Sequence, residues 1–149
     1  MTVLDEETLR ELQDIVEDLH TKEKELDGAI FFSHKDRCFI AGADIKIFDT
    51  MHTAADGQAG AEAGQTIFNR LEDLKMPTVA CVHGVCLGGG LEFSLACKSI
   101  IVSSDSATGL GLPEVKLGLI PGFGGTYRLP KAVGLPTALD MILSGKTLN

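Results

Sequence analysis

Two glutamates stand in apolar segments of the sequence. Glu92 lies in CLGGGLEFSLAC (residues 86–97), and Glu114 lies in GLGLPEVKLG (residues 109–118). Apolar surroundings disfavour the charged form and raise the pKa of a carboxyl, and two neighbouring carboxyls separate each other's pKa values further. One group can then act as a base while the other acts as an acid near neutral pH. The sequence therefore predicts Glu92 and Glu114 as an acid–base pair.

The glycines before Glu92 predict a site for a negatively charged oxygen. A strand at 78–82 leads through Gly88, Gly89 and Gly90 into a helix, whose first N–H groups have no intrahelical acceptor. Glycine lets a ligand oxygen approach these N–H groups, and the helix dipole favours negative charge there. FIAGADI (39–45) repeats this arrangement of a strand, small residues and a helix start. Two converging N–H donors form an oxyanion hole, worth about 2.7–4 kcal/mol per donor in acyl chemistry.

Each of these features also has a purely structural explanation. Glu92 could serve only the dipole of its helix, Glu114 could be an exposed charge at a strand end, and the glycines could ease helix–sheet packing. No serine or cysteine stands beside a histidine in a nucleophile motif, so covalent catalysis has little support. His83 is expected to be a packed residue at a strand end. Reasoning from the residues alone leads to an acid–base enzyme that uses an oxyanion hole.

The composition limits the partners of the chain. Its 149 residues fit one domain, and its net charge of −8 argues against nucleic acid, which needs a basic face. The four cysteines show no metal-like pairing with the histidines, and we expect reduced thiols in an intracellular compartment. No apolar run approaches the roughly 20 residues of a transmembrane helix. We therefore expect no metal site, no nucleic acid and no transmembrane segment.

Strands that alternate with helices predict an α/β fold with largely parallel pairing. Helical spacing predicts an amphipathic helix over 5–19 and a further helix marked by Ile67, Phe68, Leu71 and Leu74. We expect residues 54–65 to be mobile, and GVCLGGG and SDSATGLGLPE to be loops. AIFF (29–32) is predicted as a strand buried on both faces. The remaining predicted elements are strands at 78–82 and 99–104 and helices at LEFSLACK, after PGFGG and at 135–144.

Three motifs in this order resemble the enoyl-CoA hydratase/isomerase (crotonase) family: FIAGADI, HGVCLGGGLEFSLAC and LGLPEVKLGLIPGFGGTYRLP. Within it, the chain is most similar to the hydratase part of the alpha subunits of fatty-acid oxidation complexes. The resemblance implies an α/β crotonase-like (ClpP/crotonase) ββα spiral fold. It also implies that residues 1–149 form part of such a domain, because family members begin with an additional strand or hairpin and continue with further helices.

The resemblance implies the roles of individual residues in adding water to a 2-enoyl-CoA. Ala43 and Gly89 would hold the thioester oxygen through their N–H groups. Glu92 and Glu114 would hold a water; Glu92 would help activate it, and Glu114 would deliver a proton to Cα. Residues expected to bind the substrate are Gly42, Asp44, Ile45, Lys46 and Gly88. Coenzyme A would arrive as part of the substrate, with no metal or redox cofactor.

The resemblance leaves two other functions open. One is Δ3–Δ2-enoyl-CoA isomerisation or another acyl-CoA reaction on this fold, in which Glu114 would move the proton largely alone. The other is an inactive fragment that acts only as an assembly unit. The full-length protein is expected to form a homo-oligomer or to bind a thiolase beta subunit. Its expected location is the cytoplasm of a bacterium or the mitochondrial matrix of a eukaryote.

Overall fold

A computed structural model describes residues 2–149 and shows the predicted alternation of strands and helices. The five α-helices are α1 (Glu6–Thr21), α2 (Ala54–Asp73), α3 (Gly89–Ala96), α4 (Gly125–Val133) and α5 (Leu135–Ser144). Two 3-10 helices lie at Ile45–Thr50 and Pro113–Leu117. The seven strands are β1 (Ala29–Phe32), β2 (Cys38–Ile40), β3 (Thr78–Val82), β4 (Val85–Leu87), β5 (Ser99–Val102), β6 (Gly109–Gly111) and β7 (Thr147–Leu148).

The strands form two sheets, and nearly all of the pairing is parallel, as predicted. One sheet has the order β1-β3-β5 and is wholly parallel. The other has the order β2-β4-β6-β7, in which β2, β4 and β6 are parallel and β7 is antiparallel to β6. Because β3 and β4 follow each other directly in the chain but belong to different sheets, the segment from 78 to 87 joins the two sheets.

Helix α3 packs against strands of both sheets and forms the centre of the core. It is apolar on every side, which is typical of a fully enclosed helix, and all but one of its eight residues are buried. The ring of Phe93 contacts the rings of Phe31, Phe39 and Phe68. Full burial of an aromatic side chain, as at Phe39, Phe68 and Phe93, stabilises the fold by about 1.5–3 kcal/mol each. Gly90 lies directly against the Ile40 backbone, so helix and strand meet without a side chain between them.

Helix α2 corrects the expectation that residues 54–65 are mobile. These residues form its first three turns, and the helix runs without interruption to Asp73. Thr53 is the N-cap: its hydroxyl accepts from the Asp56 N–H, and the Asp56 carboxylate accepts from the Thr53 N–H. This capping box and the alanines of the segment offset the cost of its glycines.

Three further expectations about local structure were wrong. The expected loop GVCLGGG contains β4, and SDSATGLGLPE contains β6 and the start of a 3-10 helix. The glycines of β6 suit a strand here because β7 lies so close that a Cβ on Gly111 would be 3.0 Å from the Lys146 carbonyl oxygen. Strand β1 is covered on one face only, since Ile30 and Phe32 are 67% and 60% exposed.

Candidate active site

Glu92 lies in the first turn of α3 and is only 2% exposed. The helix begins after Gly88, whose φ of +51° lies in the left-handed region that favours glycine. One carboxylate oxygen, Oε1, accepts hydrogen bonds from the Phe123 N–H at 2.8 Å and from the Gly125 N–H at 2.7 Å. The carboxylate is therefore held by the loop before α4 rather than by a cap on its own helix.

The two oxygens of Glu92 have different chemical roles because of these hydrogen bonds. Oε1 faces two N–H donors and cannot itself carry a proton without placing it against one of them. The other oxygen, Oε2, has no hydrogen bond within residues 2–149 and remains available for a proton. The exchangeable proton of Glu92 therefore belongs on Oε2.

Burial raises the pKa of Glu92 from its usual 4.5 to about 7. Removal from water is the largest cause, and the charge of Glu114 raises the pKa further. The N–H groups of Gly125 and Phe123 and the charge of Arg128 act in the opposite direction by stabilising the carboxylate. Near neutral pH the group is therefore divided between its two protonation states, as a group that exchanges protons must be.

Glu114 lies in the 3-10 helix Pro113–Leu117 and is half-buried. Its Oε2 is fully enclosed and has no hydrogen-bond partner among the described residues. Burial raises the pKa of this carboxyl as well. Its Oε1 lies 3.0 Å from where a Cβ on Gly88 would stand, so the glycine leaves room for the acid. The alternative explanation, an exposed charge at a strand end, is wrong.

Ala43 and Gly89, the predicted oxyanion-hole residues, line the same cavity as the two glutamates. Leu4 forms a parallel bridge with Ala43, in which Leu4 donates to the Gly42 carbonyl and Asp44 donates to the Leu4 carbonyl. Successive peptide groups of extended backbone point to opposite sides, so the Ala43 N–H points away from Leu4. Gly89 is the first residue of α3, and its N–H has no intrahelical acceptor.

A cavity of about 770 Å³ joins these groups. Its walls include both glutamates, both predicted oxyanion-hole residues and three of the predicted substrate-binding residues, which are Gly42, Ile45 and Gly88. Asp44 and Lys46 are not among the lining residues; the Asp44 carboxylate instead accepts from the Lys46 N–H at 3.0 Å. This volume is in the range of small-molecule sites, and most of the lining is apolar.

Reasoning from the sequence missed two parts of the site. One is the start of α4, where Phe123 in the preceding loop and Gly125, the first helical residue, supply the hydrogen-bond donors to Glu92; the adjacent glycines Gly124 and Gly125 were the available signal. The other is the wall that α2 provides through small residues such as Gly57, Gly60 and Ala61. The small residues of 54–65 led to the prediction that this segment is mobile, whereas in the structure they leave space for the cavity.

The other titratable side chains of the described residues form no metal site, and the thiols of Cys86 and Cys97 are not ionised. Within residues 2–149, no group of three or more histidine, cysteine, aspartate or glutamate side chains could hold a metal ion. All four cysteines are free, and burial raises the pKa of Cys86 to about 11 and that of Cys97 to about 12, which keeps these thiols protonated. No helix of the described part of the chain is long and apolar enough to cross a membrane.

The fold is of the crotonase type, and the chain belongs to the enoyl-CoA hydratase/isomerase family, whose model matches residues 1–149. The family and fold predicted from the sequence are thereby confirmed. The roles assigned to individual residues remain predictions.

Comparisons with curated proteins and with solved structures agree with this family assignment. The chain is 47% identical over 149 residues to the fatty acid oxidation complex subunit alpha of Shewanella oneidensis, and it covers 21% of that protein. Its structure matches the enoyl-CoA hydratase of Bacillus anthracis with a TM-score of 0.86 and 33% identity, covering 98% of this chain and 55% of the other. The Thermoplasma volcanium enoyl-CoA hydratase matches with a TM-score of 0.85 and 30% identity, over 99% and 57% of the two chains. The chain thus spans about a fifth of the length of the curated relative.

Proposed function

We propose that the chain carries the hydratase site that adds water to a 2-enoyl-CoA and yields a 3-hydroxyacyl-CoA. The observation that supports this most strongly is the pairing of two half-buried or buried carboxyls, Glu92 and Glu114, in one apolar cavity. In each of them Oε2 has no hydrogen-bond partner among the described residues. Hydration needs two such positions, one for the attacking water and one for the proton that Cα receives.

The proposed reaction begins with the thioester oxygen between the N–H groups of Ala43 and Gly89. The water oxygen attacks Cβ while one water proton passes to Glu92 Oε2, and the electrons of the double bond move into an enolate. The two N–H groups stabilise the enolate oxygen, where the negative charge develops. Glu114, whose pKa is raised by burial, enters this step in its protonated form and delivers its proton to Cα. The next water resets the pair by returning the proton from Glu92 to Glu114.

Coenzyme A enters this scheme only as part of the substrate, and the proton transfers are assigned to the two carboxyls alone. Gly42, Ile45 and Gly88 line the cavity beside the oxyanion-hole residues and would contact the thioester portion. Asp44 and Lys46 lie outside the lining and would contact the more distant part of the coenzyme. Since its relatives are named as subunits of a fatty acid oxidation complex, we also propose that the natural protein acts in such a complex, with a homo-oligomer or thiolase beta subunit as partner.

Loss of the conjugated enoyl-thioester absorbance tests the proposed reaction. We expect E92Q and E114Q each to lower kcat by about 10²- to 10⁴-fold, the usual contribution of a general acid or base. K131M is the matched control, because Lys131 is exposed and contacts only the Tyr127 ring among the contacts described.

The comparison of the two glutamate variants separates the candidate functions. If wild type, E92Q, E114Q and K131M turn over a 2-enoyl-CoA at equal rates or not at all, the hydratase proposal for this chain is wrong. A 3-enoyl-CoA is the second substrate. If it is isomerised at nearly the wild-type rate by E92Q but not by E114Q, the site is an isomerase in which Glu114 acts alone.

A further inference from the structure

The Arg128 side chain connects helix α2 to residues 122–125, the segment whose N–H groups hold the Glu92 carboxylate. It lies in α4, is 3% exposed, and is the only cation among the described buried residues. Its guanidinium donates through Nη1 to the Phe123 carbonyl at 3.0 Å. Through Nε it donates to Glu72 Oε2 at 2.8 Å, and through Nη2 to Asn69 Oδ1 at 2.6 Å. The planar fork of arginine thus joins three acceptors on two segments of the chain.

The Phe123 residue transmits this contact to the active site. Its carbonyl accepts from Arg128, while its N–H donates to Glu92 Oε1. The second donor is the N–H of Gly125, the first residue of α4, two positions further along the chain. Between them, Gly124 has φ of +105°, and a Cβ there would overlap Nη1 of Arg128. The loop is therefore shaped around the guanidinium on one side and around the carboxylate on the other.

Helix α2 anchors the loop at two further points. Gln65 Nε2 donates to the Gly122 carbonyl at 2.8 Å. The Phe123 ring packs edge-on against Phe68 and fills the space that Gly64 leaves open. These contacts fix the position of the loop, whereas Arg128 is the one described residue that binds the carbonyl of Phe123, whose N–H holds Glu92.

We propose that Arg128 is a positioning residue: with Asn69 and Glu72 it orients the Phe123 and Gly125 N–H groups toward Glu92 Oε1 and so keeps Oε2 directed to the reactant. This inference rests on the proposed role of Glu92 as the base. The charged groups that act on Glu92 are Glu114 from the 3-10 helix Pro113–Leu117 and Arg128 from α4, with Glu72 of α2 behind Arg128.

The titration of Glu92 measures this positioning without requiring turnover. In the 149-residue chain, glutamate side-chain carboxyls are labelled with ¹³C, and the Glu92 signal is assigned by its loss in E92Q. R128M removes the guanidinium while keeping an apolar stem, and Glu72, which is 39% exposed, can be hydrated instead. We expect the midpoint of Glu92 to rise by about one pH unit, because both the cation and the fixed donors that favour the carboxylate are lost.

Two variants separate orientation from charge, and a third is the control. N69A leaves every charge in place but removes the anchor of Nη2, and R128K keeps the charge but loses the fork. Both should raise the Glu92 midpoint, N69A by less than R128M. K131M removes a cation from the same helix without touching the loop, so it should leave the midpoint unchanged. In turnover, R128M should lower kcat by about tenfold, the equivalent of one pH unit, with little change in KM.

The outcomes decide the proposal. An unchanged midpoint in R128M overturns it. A shift in R128M that is absent from both N69A and R128K shows that Arg128 acts through charge alone, and the positioning role is then wrong. If R128M does not fold, N69A, at an exposed position, decides by itself. If the midpoints shift as expected while E92Q hydrates 2-enoyl-CoA at the wild-type rate, the positioning of Glu92 holds and the proposed function fails.

Discussion

At the scale of single residues, the candidate active site contains a carboxyl whose ionised form the fold disfavours. Glu92 is buried in an apolar helix, and its only direct partners among the described residues are two backbone N–H groups. These two hydrogen bonds satisfy one oxygen, but they do not compensate fully for the loss of water, so the pKa rises to about 7. Glu92 therefore costs stability in its ionised form, and that cost depends on pH.

The stability of E92Q relative to wild type should change with pH. Because the pKa of Glu92 is about 7 in the fold against its usual 4.5, the stability contributed by the protonated carboxyl is complete below pH 4.5 and is lost as pH rises to 7. The amide of E92Q does not titrate. Across this window the free energy of unfolding of wild type should fall relative to E92Q by about 3 kcal/mol.

Urea unfolding of both proteins at several pH values between 4 and 8 measures this difference. The amide oxygen of E92Q can still accept from the Phe123 and Gly125 N–H groups, so the variant tests ionisation rather than loss of the loop contact. If the difference in unfolding free energy between wild type and E92Q stays constant from pH 4 to 8, Glu92 titrates in the fold as it does in the unfolded chain.

At the scale of elements, α2 has two functions that its composition conceals. Its small residues, among them Gly57, Gly60 and Ala61, leave space for the cavity. Its middle turns hold the loop before α4 in two ways: Gln65 donates to the Gly122 carbonyl, and the recess at Gly64 receives the Phe123 ring. The glycines of one helix therefore differ in what surrounds them, although the sequence shows the same residue at each position.

Replacement of two of these glycines by alanine should have opposite effects on stability. A Cβ on Gly64 would overlap the Phe123 ring, so G64A should destabilise the fold by about 1–3 kcal/mol despite the better helix propensity of alanine. At Gly57 a Cβ meets nothing within 4 Å, so G57A should stabilise the fold by about 0.5–1 kcal/mol.

Thermal and urea unfolding of G64A and G57A give both values, with G57A as the matched control in the same helix. G64A should also raise the midpoint of the Glu92 pH titration, because Phe123 must move and its N–H then holds the Glu92 carboxylate less well. Equal stabilisation by both substitutions would mean that the Phe123 ring does not occupy the recess.

At the scale of the whole molecule, the cavity is built from segments that are distant in the sequence. Its walls come from the N-terminal residues around Leu4, from the 41–47 segment, from α2, from the start of α3 and from residues 113–123. No one of these segments forms a pocket by itself. A ligand that fills the cavity should therefore stabilise the entire fold rather than one element.

A 2-enoyl-CoA or a saturated acyl-CoA should raise the unfolding temperature of the chain, whereas free coenzyme A should raise it less because it leaves the apolar walls exposed. At a ligand concentration of 100 times Kd, the gain in unfolding free energy is about 2.7 kcal/mol. A61F adds an aromatic ring to the cavity wall and should weaken this gain for acyl-CoA but not for free coenzyme A. Equal gains for acyl-CoA in A61F and wild type would place the acyl group outside this cavity.

The sequence by itself determined the elements whose signals are local. The amphipathic helix α1, the strand TVACV and the helix at Leu135–Ser144 follow from residues within a few positions of one another. The apolar sequence around Glu92 and Glu114 also predicted that burial would raise their pKa values, and the structure places both carboxyls where burial does so. The particular reaction proposed for them rests on family resemblance.

Only the tertiary structure decided which groups surround these acids. The hydrogen bonds from Phe123 and Gly125 to Glu92 span 31 and 33 residues, and the Arg128 contacts with Glu72 and Asn69 span 56 and 59. Such partners leave no periodic or local pattern in the sequence. For the same reason the glycines of α2 were interpreted as mobile. Whether a small residue leaves space for a cavity depends on which residues lie opposite it. Those residues are determined only when distant segments of the chain pack together.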